Sequence, residues 1–81
     1  MPRLTLYGRP GCHLCDEARA VVAEVCAERG FELEEVDVST DPALNAAYGE
    51  RIPVLAIDGE EAFELHIDAA GLRRRLDTVR R

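Results

Sequence analysis

Residues 6–15 of the 81-residue chain read Leu-Tyr-Gly-Arg-Pro-Gly-Cys-His-Leu-Cys. The stretch Arg3–Tyr7 overlaps the start of this segment. It alternates leucines with polar neighbours, which is typical of a short strand. Gly8 and the Pro-Gly pair that follows it interrupt the alternation and indicate a turn. The segment therefore predicts a strand whose turn leads directly to Cys12.

A helix is predicted to follow this turn. Asp16 and Glu17 would occupy its first turn, where negative charge is favourable, and Gly30 can end it. Apolar residues recur at helical spacing, namely Leu14, Ala18, Val21, Val22 and Val25. We therefore expect a helix of about four turns that begins close to Cys12.

The middle of the chain predicts a second strand and a short second helix. Phe31–Val38 is rich in Val and Leu but also has four acidic residues, which an edge strand tolerates. Residues 39–41, Ser-Thr-Asp, offer N-cap candidates directly before Pro42, and Gly49 can end the helix.

The last third of the chain predicts a hairpin and a final helix. Val54–Ile57 and Glu61–Leu65 flank Asp58-Gly59, a pair that suits a type I′ turn. Asp68 can cap a helix whose buried face would consist of Ala69, Leu72, Leu76 and Val79.

The element order is therefore βαβαββα. A right-handed crossover would join the first two strands in parallel, and the antiparallel hairpin would complete the sheet. The sequence thus predicts an α/β domain over residues 1–81, with a four-stranded mixed sheet and three helices.

Composition and charge exclude several classes of function. The chain has 16 acidic residues against 10 arginines and no lysine, which gives a net charge of −6, the wrong sign for a nucleic-acid binder. No apolar run approaches the roughly 20 residues that cross a bilayer, and we find no signal peptide. We expect a cytoplasmic protein in a reducing compartment, where three cysteines do not indicate a disulfide scaffold.

Cys12 and Cys15 form a Cys-x-x-Cys motif at the predicted start of the first helix. Unpaired backbone N–H groups and the helix dipole favour a thiolate at this position, and the cations Arg9 and His13 would add to the effect. Cβ atoms three residues apart on a helix are about 5 Å apart, and a looser first turn can close the gap to a disulfide. We therefore predict a redox pair in which Cys12 attacks a target disulfide and Cys15 resolves the mixed disulfide.

Other interpretations of these residues stay open. A zinc site needs four ligands, and besides the motif only Cys26, His13 and His66 remain, without a second paired motif. Cys26 lies roughly 16 Å along the helix from Cys15 and is interpreted as a buried apolar residue rather than a regulatory thiol. His13 is interpreted as a helix-start residue more readily than as a proton shuttle.

Residues 6–15, together with Ile52-Pro53-Val54 some forty residues later, resemble the glutaredoxins of the thioredoxin-fold superfamily. The nearest likeness is to the small bacterial glutaredoxin-like proteins with a Cys-x-Leu-Cys centre. The resemblance covers the whole chain, and the element order above is that family's thioredoxin-like fold.

The resemblance implies a role for each matching residue. Cys12 matches the nucleophile and Cys15 the resolving thiol. Pro53 matches a cis-proline that faces the active site, and Ile52 before it would offer its backbone to an extended substrate segment. Tyr7 and Arg9 match an aromatic and a basic residue that flank the motif, although they also fit strand-end packing and a solvated turn charge. With His13, these residues complete the predicted site: Cys12 and Cys15 for catalysis, and Tyr7, Arg9, His13, Ile52 and Pro53 for substrate binding.

Four departures from the family pattern concern glutathione. His13-Leu14 stands for the usual Pro-Tyr, Arg51 for the Thr of Thr-Val-Pro, and Glu64-Leu65 for a Gly-Gly pair. Of the acidic pair that follows, only Asp68 is present, with Ile67 at the other position. We therefore expect weak recognition of glutathione and intact dithiol chemistry.

The predicted function is that of a thiol–disulfide oxidoreductase that holds no organic cofactor. Glutathione or another small thiol remains a potential co-substrate. The expected partners are protein disulfides and a disulfide reductase or small thiol, with no nucleic acid and no membrane, and the chain is expected to act as a monomer. The alternatives are a glutaredoxin-like module that handles an iron–sulfur cluster or metal, and a non-catalytic binding domain that uses the Pro53 face.

Overall fold

The computed structural model describes residues 3–79, and of Val79 only the backbone. The predicted place of the Val79 side chain on the last helix therefore lies outside the described residues. The elements follow the order βαβαββα, and their bounds are β1 (Arg3–Gly8), α1 (His13–Arg29), β2 (Glu32–Asp37), α2 (Pro42–Tyr48), β3 (Val54–Ile57), β4 (Glu60–Glu64) and α3 (Ala69–Val79). The predicted α/β class and element order are confirmed.

The four strands form one mixed sheet in the order β2-β1-β3-β4. β1 pairs in parallel with β2, and β3 pairs antiparallel with both β1 and β4. The acidic strand β2 is at an edge, as predicted. It ends one residue earlier than expected, because the Asp37 side chain accepts hydrogen bonds from the N–H and the hydroxyl of Ser39 and so starts a short 3-10 turn.

Helix α1 presents a slightly different face to the core than the apolar pattern indicated. Its buried residues are Cys15, Ala18, Val22, Val25 and Cys26. Leu14 and Val21, which were predicted on the buried face, are only partly buried. Because the helix begins at His13, its two cysteines, Cys15 and Cys26, both point into the protein interior. Gly30 ends it in the left-handed conformation, with a φ of 72°.

The hairpin has the predicted turn but a shifted second strand. Asp58 and Gly59 have φ values of 52° and 87°, as a type I′ turn requires. β4 spans Glu60–Glu64 rather than 61–65, because Leu65 adopts a left-handed φ of 67° and leaves the strand. The register between β3 and β4 shifts between Leu55 and Ala56, where Ala62 of β4 is the extra residue, and this irregularity was not predicted.

The side chains form two apolar clusters. The main core joins β1, β3, α1 and α3 through fully buried residues that include Leu4, Val22, Leu55, Leu72 and Leu76. A smaller cluster lies beside the Cys-x-x-Cys motif and consists of Cys15, Val38 and Ile52, with Tyr7, Cys12, Leu44 and Tyr48 packed against them. Within residues 3–79, no helix is long and apolar enough to cross a membrane.

Candidate active site

Cys12 is the N-cap residue of α1. Its backbone is extended, and its sulfur accepts a hydrogen bond of 3.2 Å from the backbone N–H of Cys15. The Cys12 carbonyl also accepts the first helical hydrogen bond, from the N–H of Asp16 at 3.0 Å. The Cys12 side chain is partly exposed. The partly exposed sulfur therefore faces the N–H groups that favour a thiolate at a helix start.

Cys15 is in a different environment. Its side chain is only 1% exposed, within the smaller apolar cluster. Burial away from water, with a smaller contribution from the hydrogen bond to Cys12, raises the pKa of the Cys15 thiol to about 11. Interactions with the backbone and the charge of Arg9 act in the opposite direction but do not cancel the effect. Cys15 is thus a protonated thiol near neutral pH, buried within the smaller apolar cluster.

Ile52 packs in the same apolar cluster as Cys12 and Cys15, and Pro53 follows it in the chain. The Ile52–Pro53 peptide bond is cis, as expected, and both side chains are buried. The carbonyl of Pro53 accepts a hydrogen bond of 2.8 Å from the N–H of Leu65, which ties this segment to the hairpin. Among residues 3–79, the N–H and C=O of Ile52 have no backbone hydrogen-bond partner. The backbone hydrogen bonds of the described residues therefore leave both of these Ile52 groups unused.

Tyr7 joins this site through a contact that sequence reasoning missed. Its ring stacks on Tyr48, with centroids 4.3 Å apart and an interplanar angle of 16°. Burial, together with the neighbouring Tyr48, raises the pKa of the Tyr7 hydroxyl. Tyr48 in turn lies below the guanidinium of Arg51, 5.4 Å from the ring centroid. The only sequence signals were an aromatic residue at the end of the second helix and a basic residue directly before Ile52.

Among the described residues, two grooves border the dithiol. One, of about 400 Å³, lies between the turn after β1 and the end of β2, and its lining includes Arg9, Cys15, Asp16 and Glu35. The other, of about 870 Å³, lies between Cys12 and α2, and its lining includes Arg9, Cys12, Ala47, Arg51 and Ile52. Arg9 thus borders both grooves. Cys15 lines the smaller groove, and Cys12 lines the larger one.

His13 differs from the other predicted site residues. Its side chain is 87% exposed, and its Nε2 lies 3.0 Å from a carboxylate oxygen of Glu17, one helical turn later. This contact favours the interpretation of His13 as a helix-start residue on the surface. The structure brings Tyr7, Cys12, Cys15 and Ile52 into one cluster that does not include His13.

Cys26 lies apart from the Cys12–Cys15 pair, in the main core. Cys26 is 4% exposed within the main core, and burial raises its pKa. This confirms its interpretation as a buried apolar residue. Within the described part of the chain, no group of three or more His, Cys, Asp or Glu side chains is arranged to hold a metal ion.

Comparisons with known proteins identify relatives of the chain. A family model described as a glutaredoxin-like domain (DUF836) matches residues 3–77. A Mycobacterium tuberculosis protein described as uncharacterized is 34% identical over 77 residues, which cover 89% of this chain and 79% of that protein. A Dictyostelium discoideum glutaredoxin-like protein is 30% identical over 86 residues, which cover 96% of this chain and 78% of that protein.

Solved structures show the same fold. A structural genomics target protein from X. campestris is 40% identical, with a TM-score of 0.79 over 93% of this chain and 96% of that one. A thioredoxin variant from Halobacterium salinarum is 26% identical, with a TM-score of 0.73 over 95% of this chain and 73% of that one. With a family model that spans nearly all of its described residues, the chain belongs to the glutaredoxin-like domain family of the thioredoxin-fold superfamily.

Proposed function

We propose that the protein is a thiol–disulfide oxidoreductase that reduces disulfides with the Cys12–Cys15 dithiol. The observation that carries the proposal is the asymmetry of the pair. Cys12 is partly exposed and caps a helix, whereas Cys15 is buried and has a raised pKa. A disulfide reductase needs one thiol that reacts with the target and a second that reacts only afterwards.

In the first step, the Cys12 thiolate attacks one sulfur of a target disulfide. A new bond forms between the Cys12 sulfur and that sulfur, the target S–S bond breaks, and the other target sulfur leaves as a thiolate. The N–H of Cys15, which donates to the Cys12 sulfur at 3.2 Å, holds that sulfur at the helix start before the attack.

In the second step, Cys15 attacks the Cys12 sulfur of the mixed disulfide. The Cys15 thiol first loses its proton to solvent or to the target thiolate that was released in the first step. The bond between Cys12 and the target then breaks as the Cys12–Cys15 disulfide forms, and the second target sulfur leaves as a thiolate that takes up a proton from solvent. Two electrons pass from the dithiol to the target in total. Because burial keeps Cys15 protonated, its attack is favoured only once a leaving group is bound at Cys12.

The proposed substrates are protein disulfides that bind in the groove between Cys12 and α2. The groove, at about 870 Å³, is larger than a single thiol requires. The backbone N–H and C=O of Ile52 support this binding mode, because an extended segment can pair with them as a strand would. We further propose that a disulfide reductase or another protein dithiol, rather than glutathione, returns the Cys12–Cys15 disulfide to the dithiol.

Steady-state reduction of a model protein disulfide tests the proposed function. The wild-type protein, recycled by a chemical dithiol, should turn over, and Cys12→Ser should be inactive. Cys26→Ser is the matched control, because Cys26 is a buried cysteine of the same helix outside the motif. It should retain the wild-type rate. Turnover by Cys12→Ser, or none by the folded wild-type protein, would contradict the proposal.

A further inference from the structure

Arg51, directly before Ile52, makes an unusual set of contacts for a surface side chain. Its Nη1 donates to carboxylate oxygens of Glu61 and Glu64, both at 2.9 Å. Its Nη2 donates to the carbonyl of Ala47 at 3.1 Å and to the second oxygen of Glu61 at 3.3 Å. One guanidinium therefore connects α2 to β4 across the segment that contains the cis-proline.

The same guanidinium also covers an aromatic pair. It lies 5.4 Å from the ring centroid of Tyr48, and Tyr48 stacks on Tyr7 of β1. The backbone N–H of Arg51 donates to the carbonyl of Tyr48 at 2.8 Å, so the main chain of Arg51 is fixed from the same side. These contacts thus hold Arg51 in place relative to α2, β4 and, through Tyr48, β1.

The contacts of Arg51 matter for the position of the chain more than for the stability of the fold. The side chains of Arg51, Glu61 and Glu64 are 36%, 45% and 49% exposed, and exposed ion pairs contribute little to stability. A planar guanidinium that satisfies two carboxylates and a carbonyl together can do so in only a narrow range of orientations. The contacts are therefore suited to set the position of a segment rather than to stabilise the fold.

We propose that Arg51 is a positioning residue that holds the backbone of Ile52 where an extended protein segment pairs with it. This inference rests on the proposed function and adds a determinant of substrate class to it. Positioning of Ile52 affects only substrates that reach beyond the reacting sulfur. A small aromatic disulfide that touches Cys12 alone is indifferent to it. Arg51 thus favours protein disulfides over small ones.

The test compares two disulfides in Arg51→Ala and the wild-type protein. The first is a folded protein disulfide and the second is 5,5′-dithiobis(2-nitrobenzoate). For the protein disulfide, Arg51→Ala should raise KM about tenfold with little change in kcat, a smaller effect than the roughly hundredfold cost of a 1 Å misplacement of reacting groups. The reaction rate with the small disulfide should match that of the wild type. Arg51→Lys, which keeps the charge but not the planar fork, should restore only part of the loss.

Two further variants control for charge and folding. Arg73 is the matched arginine, because it donates two hydrogen bonds to Glu28 at 3.0 and 2.9 Å between α3 and α1. Arg73→Ala should leave both reactions unchanged. Glu61→Gln keeps the shape of the contact but removes one charge, and it should raise KM in the same direction as Arg51→Ala. Combining Glu61→Gln with Arg51→Ala should add little, because both changes break the same contact.

An unchanged KM for the protein disulfide in both Arg51→Ala and Glu61→Gln would overturn the proposal. A parallel loss with the small disulfide would also overturn it, because Arg51 would then act on Cys12 itself. A wild-type protein that reacts with neither disulfide would instead refute the proposed oxidoreductase function, so the two failures are distinguishable.

Discussion

Gly8 leaves the space that the sulfur of Cys15 occupies. A Cβ added to Gly8 would lie 3.1 Å from the Cys15 Sγ and 3.3 Å from its Cβ, tighter than ordinary van der Waals contact. Gly8 is the last residue of β1 and its φ is not in the left-handed region. The structure therefore favours a glycine here for room rather than for backbone conformation, and the end of β1 packs directly against the Cys15 thiol.

Gly8→Val tests this relationship. The added side chain must displace Cys15, so the resolving step should slow about tenfold while attack by Cys12 on a small disulfide stays unchanged. Overpacking beside the cluster should also lower the free energy of unfolding by about 1–3 kcal/mol. Rapid-quench measurement of the mixed disulfide and denaturant unfolding measure the two effects. Ala23→Val, on the exposed side of α1, is the control and should change neither step.

Alkylation near pH 7 should modify Cys12 first in the reduced protein. Cys12 is partly exposed, whereas Cys15 is 1% exposed and its pKa is raised to about 11. Mass spectrometry after short treatment with iodoacetamide should find the label on Cys12, and Cys12→Ser should remain largely unlabelled. Faster labelling of Cys15 than of Cys12 would reverse the two proposed roles.

The stability of the reduced protein should fall in the alkaline range. The pKa of Cys15 is about 11 in the folded state, against about 8.5 for an unperturbed thiol. Between these values the folded state binds more protons than the unfolded state, so the Cys15 contribution is fully present below about pH 8.5 and is lost as pH rises towards 11. Urea unfolding across this range, in the presence of a reductant, should show a steeper decline for the wild type than for Cys15→Ser. Parallel curves for the two proteins would contradict this assignment of the pKa.

Leu65→Gly tests why glutathione recognition is expected to be weak. Leu65 is 42% exposed and has a φ of 67°, at the position where the resemblance places a family glycine. Relief of left-handed strain, worth roughly 1–2 kcal/mol, should outweigh the glycine entropy cost of about 0.5–1 kcal/mol, so stability should change little or rise slightly. Glutathione should reduce the wild-type Cys12–Cys15 disulfide slowly and the variant faster.

The electron donor itself can be compared directly. At matched potential, a flavoprotein reductase of the thioredoxin-reductase type should reduce the Cys12–Cys15 disulfide faster than glutathione does. Fast and saturable reduction of the wild type by low-millimolar glutathione would show that neither Leu65 nor Glu64 obstructs the thiol. The ion pair of Glu64 with Arg51 already reduces the repulsion that its charge alone would cause.

Local signals account for the parts of the fold that the sequence predicted correctly. Asp58-Gly59 specifies its own turn, and Asp68 specifies the start of α3, where its Oδ2 accepts a hydrogen bond from the N–H of Gly71 at 3.1 Å. The placement of Cys12 at a helix start follows in the same way from the Gly and Pro residues before it. Each of these features depends on neighbours only a few residues away.

The contacts that the sequence did not reveal join residues far apart in the chain. Tyr7 and Tyr48, which are 41 positions apart in the chain, stack on each other, and Arg51 reaches Glu61 and Glu64 across the hairpin. Charge and aromatic character alone do not say which of several partners such side chains meet. The inward orientation of Cys15 likewise depends on the helix starting at His13, a boundary that apolar spacing locates only within a few residues.

The order of covalent species in a single turnover tests the central claim most directly. One equivalent of a protein disulfide is mixed with the reduced protein, quenched with acid at intervals and mapped by mass spectrometry. The wild type should pass through a mixed disulfide at Cys12 and end as the Cys12–Cys15 disulfide, while Cys15→Ser should stop at the mixed disulfide with one target bound per chain. A first adduct on Cys15 or Cys26, or a Cys15→Ser protein that forms no adduct, would contradict the account.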